Sequence, residues 1–249
     1  MLSKIVLKLG EKANVLNYNS GSLFQGFLME NLDSDVASYL HTLPYNPYSQ
    51  YINKTEEGVE WIVSGIDEFA YKNIIEKIEN IGEINLDSKN LLLTVKEVRK
   101  AVVKKEDFVS EIMFGKENER TKNLKVITPI SFKSQGYYQN MPSVKLIYQN
   151  LLNKFDSTGS DKLYSEELLN ELVNNSHISR YHIMSSKYSL EGVKIASFKG
   201  NLDISTKGSK ELINISNLLL KFAEYSGIGI KTSIGMGGVT VGNREYNRR

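Results

Sequence analysis

The stretch with the most chemistry in its spacing lies near the C-terminus. Two Gly-apolar-Gly triplets, Gly227-Ile228-Gly229 and Gly235-Met236-Gly237, bracket a five-residue run that contains Lys231, and Gly238 follows. Glycine lets a backbone take positive φ and lets a ligand come close with no Cβ in the way. Consecutive N–H groups freed by such a backbone can form a concave nest for an anion. With a lysine inside it, the loop suits a phosphate. It does not suit a mononucleotide. The pattern GxxxxGK(S/T) is absent, because no glycine precedes Lys231-Thr232. Nucleotide loops also follow a strand and open a helix. Here the order is reversed: Leu212, Ile215, Leu218, Leu219 and Phe222 give the preceding run helical spacing, and Val239-Thr240-Val241 reads as a strand. The plain alternative is a glycine turn before an edge strand, with no ligand.

Other reactive side chains are few. The chain has no cysteine, which excludes disulfides, thiolate chemistry and cysteine zinc sites and fits a reducing, cytoplasmic setting. Its three histidines are His41, His177 and His182. His41 ends a predicted helical segment, where an imidazolium meets the negative end of the helix dipole. His177 and His182 flank Ile178-Ser179-Arg180-Tyr181 and read as exposed loop residues. No carboxylate stands at helical ligand spacing from them, so no metal site is expected. Lys133, Lys194 and Lys199 either line a phosphate track or are ordinary solvated lysines. Glu166-Glu167 and the pair Asp33 and Asp35 read as cap and solvated charge. Fourteen tyrosines offer faces for base stacking, although most read as half-buried core.

At 249 residues, 41% hydrophobic and 24% charged, the chain is long enough for one large domain or two small ones. No apolar run reaches the length of a membrane span. The N-terminal residues alternate polar and apolar, as a strand does and a signal peptide does not. The net charge of +2 permits an acidic partner without requiring one; a nucleic-acid binder of this charge would cluster its lysines on one face.

The elements that must position these residues follow in order. Strand 3–9 precedes a helix over 21–32, with Leu23, Phe24, Phe27, Leu28 and Leu32 on one face. A short turn over 36–41 ends at His41. Residues 42–51 hold two of the four prolines and read as an extended loop. Strand 58–64, an amphipathic helix over 68–81 and strand 91–103 complete a first half. The charged stretch 110–123 reads as a linker. Strand 124–132, helix 143–155, a turn at 156–161, helix 166–174 capped by Ser165, strands 181–188 and 193–205, helix 211–225 and strand 239–241 form the second. Residues 244–249 read as a frayed tail. The expected fold is α+β: two tandem ferredoxin-like (RRM-like) βαββαβ units, 1–115 and 116–249, the second closing on the glycine-rich loop.

The pattern GhGxxxxxGhG after a last helix resembles the signature of the RAMP superfamily of CRISPR systems, and within it the Cas-six family of precursor-RNA-processing endoribonucleases. Three further stretches are similar to that family. They are Leu40-His41 followed by Pro47-Tyr48-Ser49, Ile127-Thr128-Pro129-Ile130-Ser131-Phe132-Lys133, and Val193-Lys194-Ile195-Ala196-Ser197-Phe198-Lys199-Gly200-Asn201-Leu202. The last helix into Gly227 is the strongest match. The resemblance spans the chain, and the variant resembles those that accompany type III systems. It implies that His41 is the general acid or base. It implies RNA binding by the loop (Gly227, Gly229, Lys231, Gly235 and Gly237) and by Lys133 and Lys199. Many family members add a Tyr in the first helix and a Lys shortly after the His. Here residues 21–32 contain no Tyr, and the first Lys after His41 is Lys54. Candidate helpers are therefore Tyr39, Tyr45, Tyr51, Lys54 and Lys231.

The chemistry so implied needs no metal and no cofactor. RNA carries its own nucleophile, the 2′-hydroxyl. The enzyme removes that proton, protonates the leaving 5′-oxygen and stabilises the charged phosphorane. A histidine can act as acid or base at neutral pH, and a lysine can hold the developing charge. The products are a 2′,3′-cyclic phosphate and a 5′-hydroxyl. The expected partner is CRISPR repeat RNA within its precursor transcript, with a transient contact to an effector complex, no membrane, and a monomeric or homodimeric protein. The alternative is a non-catalytic RNA-binding RAMP subunit of an effector complex, which would have no need of a histidine at position 41.

Overall fold

A computed structural model describes residues 1–115, 119–159 and 162–243. Two antiparallel sheets dominate. The first has strand order β2-β3-β1-β5-β4, built from β1 (Leu2–Leu9), β2 (Tyr48–Thr55), β3 (Gly58–Gly65), β4 (Glu83–Leu86) and β5 (Leu91–Val103). The second has order β11-β6-β10-β9, from β6 (Thr121–Ile130), β9 (Ser176–Leu190), β10 (Val193–Thr206) and β11 (Val239–Asn243). A small hairpin pairs β7 (Phe132–Ser134) with β8 (Tyr137–Gln139). Counted in chain order, β11-β6-β10-β9 is fourth-first-third-second, the ferredoxin-like arrangement. The first sheet repeats it, with β4 added outside β5.

Burial explains why these segments take these forms. In β1 the side chains of Leu2, Ile5, Leu7 and Leu9 are buried. α1 (Gly21–Glu30) lays Phe24, Phe27 and Leu28 on that sheet, with the Phe24 ring 5.0 Å from Trp61 of β3. α2 (Ser34–Thr42) follows. α3 (Glu68–Ala70), a π-turn (Tyr71–Ile75) and α4 (Glu76–Ile78) run on as one helix, which buries Ala70, Ile74, Ile75 and Ile78 in the same core. The second core gathers under α6 (Val144–Asp156), α7 (Glu166–Asn175) and α8 (Lys210–Ser226). Ser143, Ser165 and Ser209 cap these three helices by accepting the N–H of Leu146, Leu168 and Leu212. Leu2 and Ile66, from the first sheet's side, pack into the second core, so the two halves share buried surface.

Several expectations are corrected. Stretch 110–123 is not a linker: residues 110–114 finish α5 (Lys105–Phe114) and residues 121–123 open β6, while 116–118 lie outside the described residues. Phe108 of α5 is buried in the second core, so its polar-looking sequence hides a docked helix. Residues 48–51 are strand rather than loop: their prolines, Pro44 and Pro47, lie before β2, and β2 pairs with β3 from Tyr48↔Gly65 onward. The span 177–180, expected as loop, is strand paired to β10. Strand β4 had no sequence signal, being four residues long. The tail 244–249 lies outside the described residues.

Candidate nucleic-acid interface and active site

The glycine loop turns out to be where both halves meet. It leaves the C-terminus of α8 at Gly227, whose φ is +64°, makes a short 3-10 turn at Thr232–Ile234, and enters β11. Its glycines serve the fold's own backbone. A Cβ on Gly229 would collide with the Ser131 carbonyl, and one on Gly237 with the Ile228 carbonyl. Gly238 lies against the Tyr51 ring, 2.6 Å from where its Cβ would stand. At Gly229, Gly237 and Gly238 the open anion nest is therefore corrected. Ile228 N–H donates to the Gly237 carbonyl and Ile230 N–H to the Ser131 carbonyl. Gly229 N–H donates to Asn150 Oδ1, Gly237 N–H to the Pro129 carbonyl, and Gly238 N–H to Thr128 Oγ1. These donors are spent inside the protein and cannot also hold a phosphate.

What the loop does present is Lys231, which takes the left-handed conformation at φ +57°. Lys231 lines a cleft of about 560 Å³ with Lys133 of β7, Lys154 of α6, and the segment Pro44-Tyr45-Asn46. Asn150, Asn153 and Gln149 supply amides to the same wall, and no carboxylate is among the described residues lining it. The cleft thus combines three lysines with neutral hydrogen-bonding groups, the composition that suits a polyanion.

The cleft is also where the chain following His41 is fastened down. Asn46 Nδ2 donates to Ser233 Oγ at 3.3 Å, and Asn153 Nδ2 to the Tyr45 hydroxyl at 3.2 Å. Gln50, fully buried, donates to the carbonyls of Ser233 and Gly21 and accepts from Trp61 Nε1. Burial raises the pKa of the Tyr48 hydroxyl well above that of a free phenol. Ser233 is thus a rivet between β2 and the loop. His41 is exposed in the last turn of α2. It lies three residues before Pro44, which bounds its distance along the chain to roughly 10 Å from the cleft lining.

The other candidates separate. Tyr45 is in the wall. Tyr39 lies on α2 with its ring 5.0 Å from that of Phe69. Tyr51 is buried in β2, and burial lifts its pKa far above the phenol range, so it is placed to pack rather than to exchange protons. Lys54 is at the far end of β2, roughly 20 Å along the strand from Tyr48, and donates to the Asn14 carbonyl at 2.6 Å. Lys199 stands over the Tyr18 ring, 4.6 Å from its centroid. Lys194 is five residues from Lys199 on β10, so their side chains leave opposite faces and share no track. His177 and His182 are exposed on β9. Among the described residues no three His, Asp or Glu gather to hold a metal ion.

Sequence reasoning missed Lys154. It is 4% exposed, and its ammonium donates to the carbonyls of Ser226 and Gly227 and to Thr232 Oγ1 at 3.0–3.1 Å. Burial lowers its pKa to about 7. The signal was there: at Ile147, Leu151, Lys154 the spacing of four and three puts a lysine in the apolar stripe of α6.

Comparison with known proteins agrees with this architecture. Residues 124–239 match the family model of the CRISPR-associated endoribonuclease Cas6. The Streptococcus thermophilus CRISPR-associated endoribonuclease Cas6 is 34% identical over 224 residues, covering 89% of this chain and 91% of the relative. A Mycobacterium tuberculosis protein of the same name is 26% identical over 223 residues, covering 89% of this chain and 71% of its own. A solved Cas6 product complex superposes with a TM-score of 0.80 at 22% identity, over 97% of this chain and 99% of that one. With identity of this level over nearly its whole length, the chain belongs to the family of CRISPR-associated Cas6 endoribonucleases.

Proposed function

We propose that this protein binds CRISPR repeat RNA across the lysine-lined cleft and cleaves the precursor transcript by attack of the 2′-hydroxyl on the adjacent phosphate. His41 moves the proton, either from the 2′-oxygen or to the leaving 5′-oxygen. Lys231 and Lys133 neutralise the phosphate and the phosphorane that forms from it. Tyr45 offers its ring and hydroxyl from the wall beside His41. The strand ends carry a 2′,3′-cyclic phosphate and a 5′-hydroxyl, and no metal takes part. Lys54 has no part in this reading, because its ammonium is engaged at the far end of β2.

One observation carries the reading: three lysines and, among the described residues, no carboxylate line a cleft that the segment Pro44-Tyr45-Asn46, a few residues after His41, helps to form. Positioning an RNA strand there brings its phosphate to the lysines and its sugar toward the imidazole, and positioning supplies much of such a reaction's barrier reduction. The test is incubation of the purified protein with the repeat RNA of its own locus in EDTA, with mass determination of both product ends. A cyclic phosphate and a 5′-hydroxyl support the reading. Cleavage that requires added Mg²⁺ or Mn²⁺ refutes the metal-free chemistry. Tight binding without cleavage moves the protein to a non-catalytic RNA-binding role.

A further inference from the structure

Helix α6 holds the first half of the glycine loop from below at two points one turn apart. Asn150 accepts the N–H of Gly229, and Lys154 donates to the carbonyls of Ser226 and Gly227 and to Thr232 Oγ1. Ser226 and Gly227 are the C-terminal end of the 17-residue α8, whose carbonyls carry the negative pole of that helix. Lys154 thus ties the start of the loop to the residue immediately after Lys231. Among the described residues no carboxylate ion-pairs with it, so a buried ammonium is held by neutral acceptors alone.

We propose that Lys154 is a positioning residue for RNA: by bridging the end of α8 to Thr232 it fixes the backbone on which Lys231 is presented to the cleft, and it gains its own stabilising anion when a phosphate arrives. This rests on the RNA-cleavage reading above. Lys154 forms part of the cleft wall. The other charged and titratable side chains lining the cleft are Lys133, Lys231 and Tyr45, and Asp156 lies on its own helix. The Asp156 carboxylate is taken up by the N–H groups of Leu163 and Tyr164. With two further lysines and, among the described residues, no carboxylate lining the cleft, an entering phosphate is the group that favours protonation of Lys154. RNA binding therefore takes up a proton near and above neutral pH.

The experiment measures affinity for the repeat RNA carrying a 2′-deoxy sugar at the cleavage position, from pH 6 to pH 9. It compares wild type, Lys154→Met, Lys154→Arg and Thr232→Val, with single-turnover cleavage of unmodified RNA at saturating protein. Lys154→Met is expected to weaken binding about tenfold at pH 7. Because Lys231 also meets the phosphorane, the saturated cleavage rate should fall as well. Wild-type affinity is expected to fall between pH 7 and pH 9, and that fall to be absent in Lys154→Met and Lys154→Arg. Thr232→Val should weaken binding in the same direction by less. A folded Lys154→Met with wild-type affinity and a wild-type pH profile overturns the proposal. Should Lys154→Met fail to fold, an unchanged affinity in Thr232→Val together with a flat wild-type profile overturns it equally. A wild-type protein that neither binds nor cleaves the unmodified RNA overturns the functional reading instead.

Discussion

Gly21 and Gly235 lie back to back. A Cβ on Gly21 would stand 2.7 Å from the Gly235 Cα, and one on Gly235 would stand 2.8 Å from the Gly21 Cα. The first residue of α1 therefore rests directly on the glycine loop, and the Tyr188 hydroxyl, which donates to the Ile234 carbonyl, closes the contact. The loop's glycines are a seam between the two halves of the chain.

That seam makes Gly235→Ala and Gly21→Ala destabilising. Gly235 adds strain at φ +107°, worth about 1–3 kcal/mol, to overpacking of similar size. Gly21 suffers the overpacking alone. Gly26, inside the same helix α1 with nothing within 4 Å of a built Cβ, is the control: Gly26→Ala should stabilise by about 0.5–1 kcal/mol. Urea unfolding of the three variants checks this. Equal effects at Gly26 and Gly235 would mean that the close approach is relieved at little cost.

His41→Ala separates chemistry from binding. The side chain is exposed, so its loss should leave the melting temperature unchanged. As the proton-transfer group it contributes roughly 10²–10⁴ in rate, and single-turnover cleavage should fall by that much while affinity for the RNA holds. Cleavage within a few-fold of wild type would remove His41 from the mechanism.

How much of this was legible in the sequence depended on where each partner lies along the chain. Helix caps are local, so Ser143, Ser165 and Ser209 mark the starts of α6, α7 and α8. β5 is readable end to end from its β-branched residues. α5 was not, because of its side chains only Phe108 is buried and the others are half-buried or exposed. The partners of the loop's N–H groups, Thr128, Pro129, Ser131 and Asn150, sit 79 to 110 residues earlier, and no local pattern says that they return. The glycines were visible; their use as a packing seam was not. Lys231 stood out from its place in the glycine loop and His41 from resemblance, and the structure adds Pro44, Tyr45 and Asn46 to the cleft that Lys231 lines.

Lys133 and Lys231 should act on salt dependence. A lysine that neutralises a phosphate releases condensed counterions, about 0.7 per contact on a single strand. Removing Lys133 or Lys231 should lower the slope of log affinity against log salt by about that amount each, across repeat sequences alike. Lys54→Ala, with its ammonium on the Asn14 carbonyl, should leave the slope unchanged. A slope that moves only with Lys54 would place the RNA elsewhere on the protein.

Lys154 should also leave a mark on stability against pH. Burial lowers its pKa in the folded protein to about 7, against 10.5 in an unfolded chain. Below pH 7 both states carry the proton, and the folded protein bears the full cost of burying the charge. Between pH 7 and pH 10.5 the unfolded chain holds a proton that the folded one has released, so the stability of the wild type rises with pH by up to about 1.4 kcal/mol per unit. Above the unfolded value the cost is gone. Lys154→Met carries no such proton. The stability difference between wild type and Lys154→Met should therefore shift toward the wild type as pH rises from 7 to 10, with other titrating groups cancelling in the comparison. Chemical denaturation of both proteins at several pH values in that range measures it. A difference that stays flat would mean that Lys154 keeps its proton in the folded state, held by the carbonyls of Ser226 and Gly227.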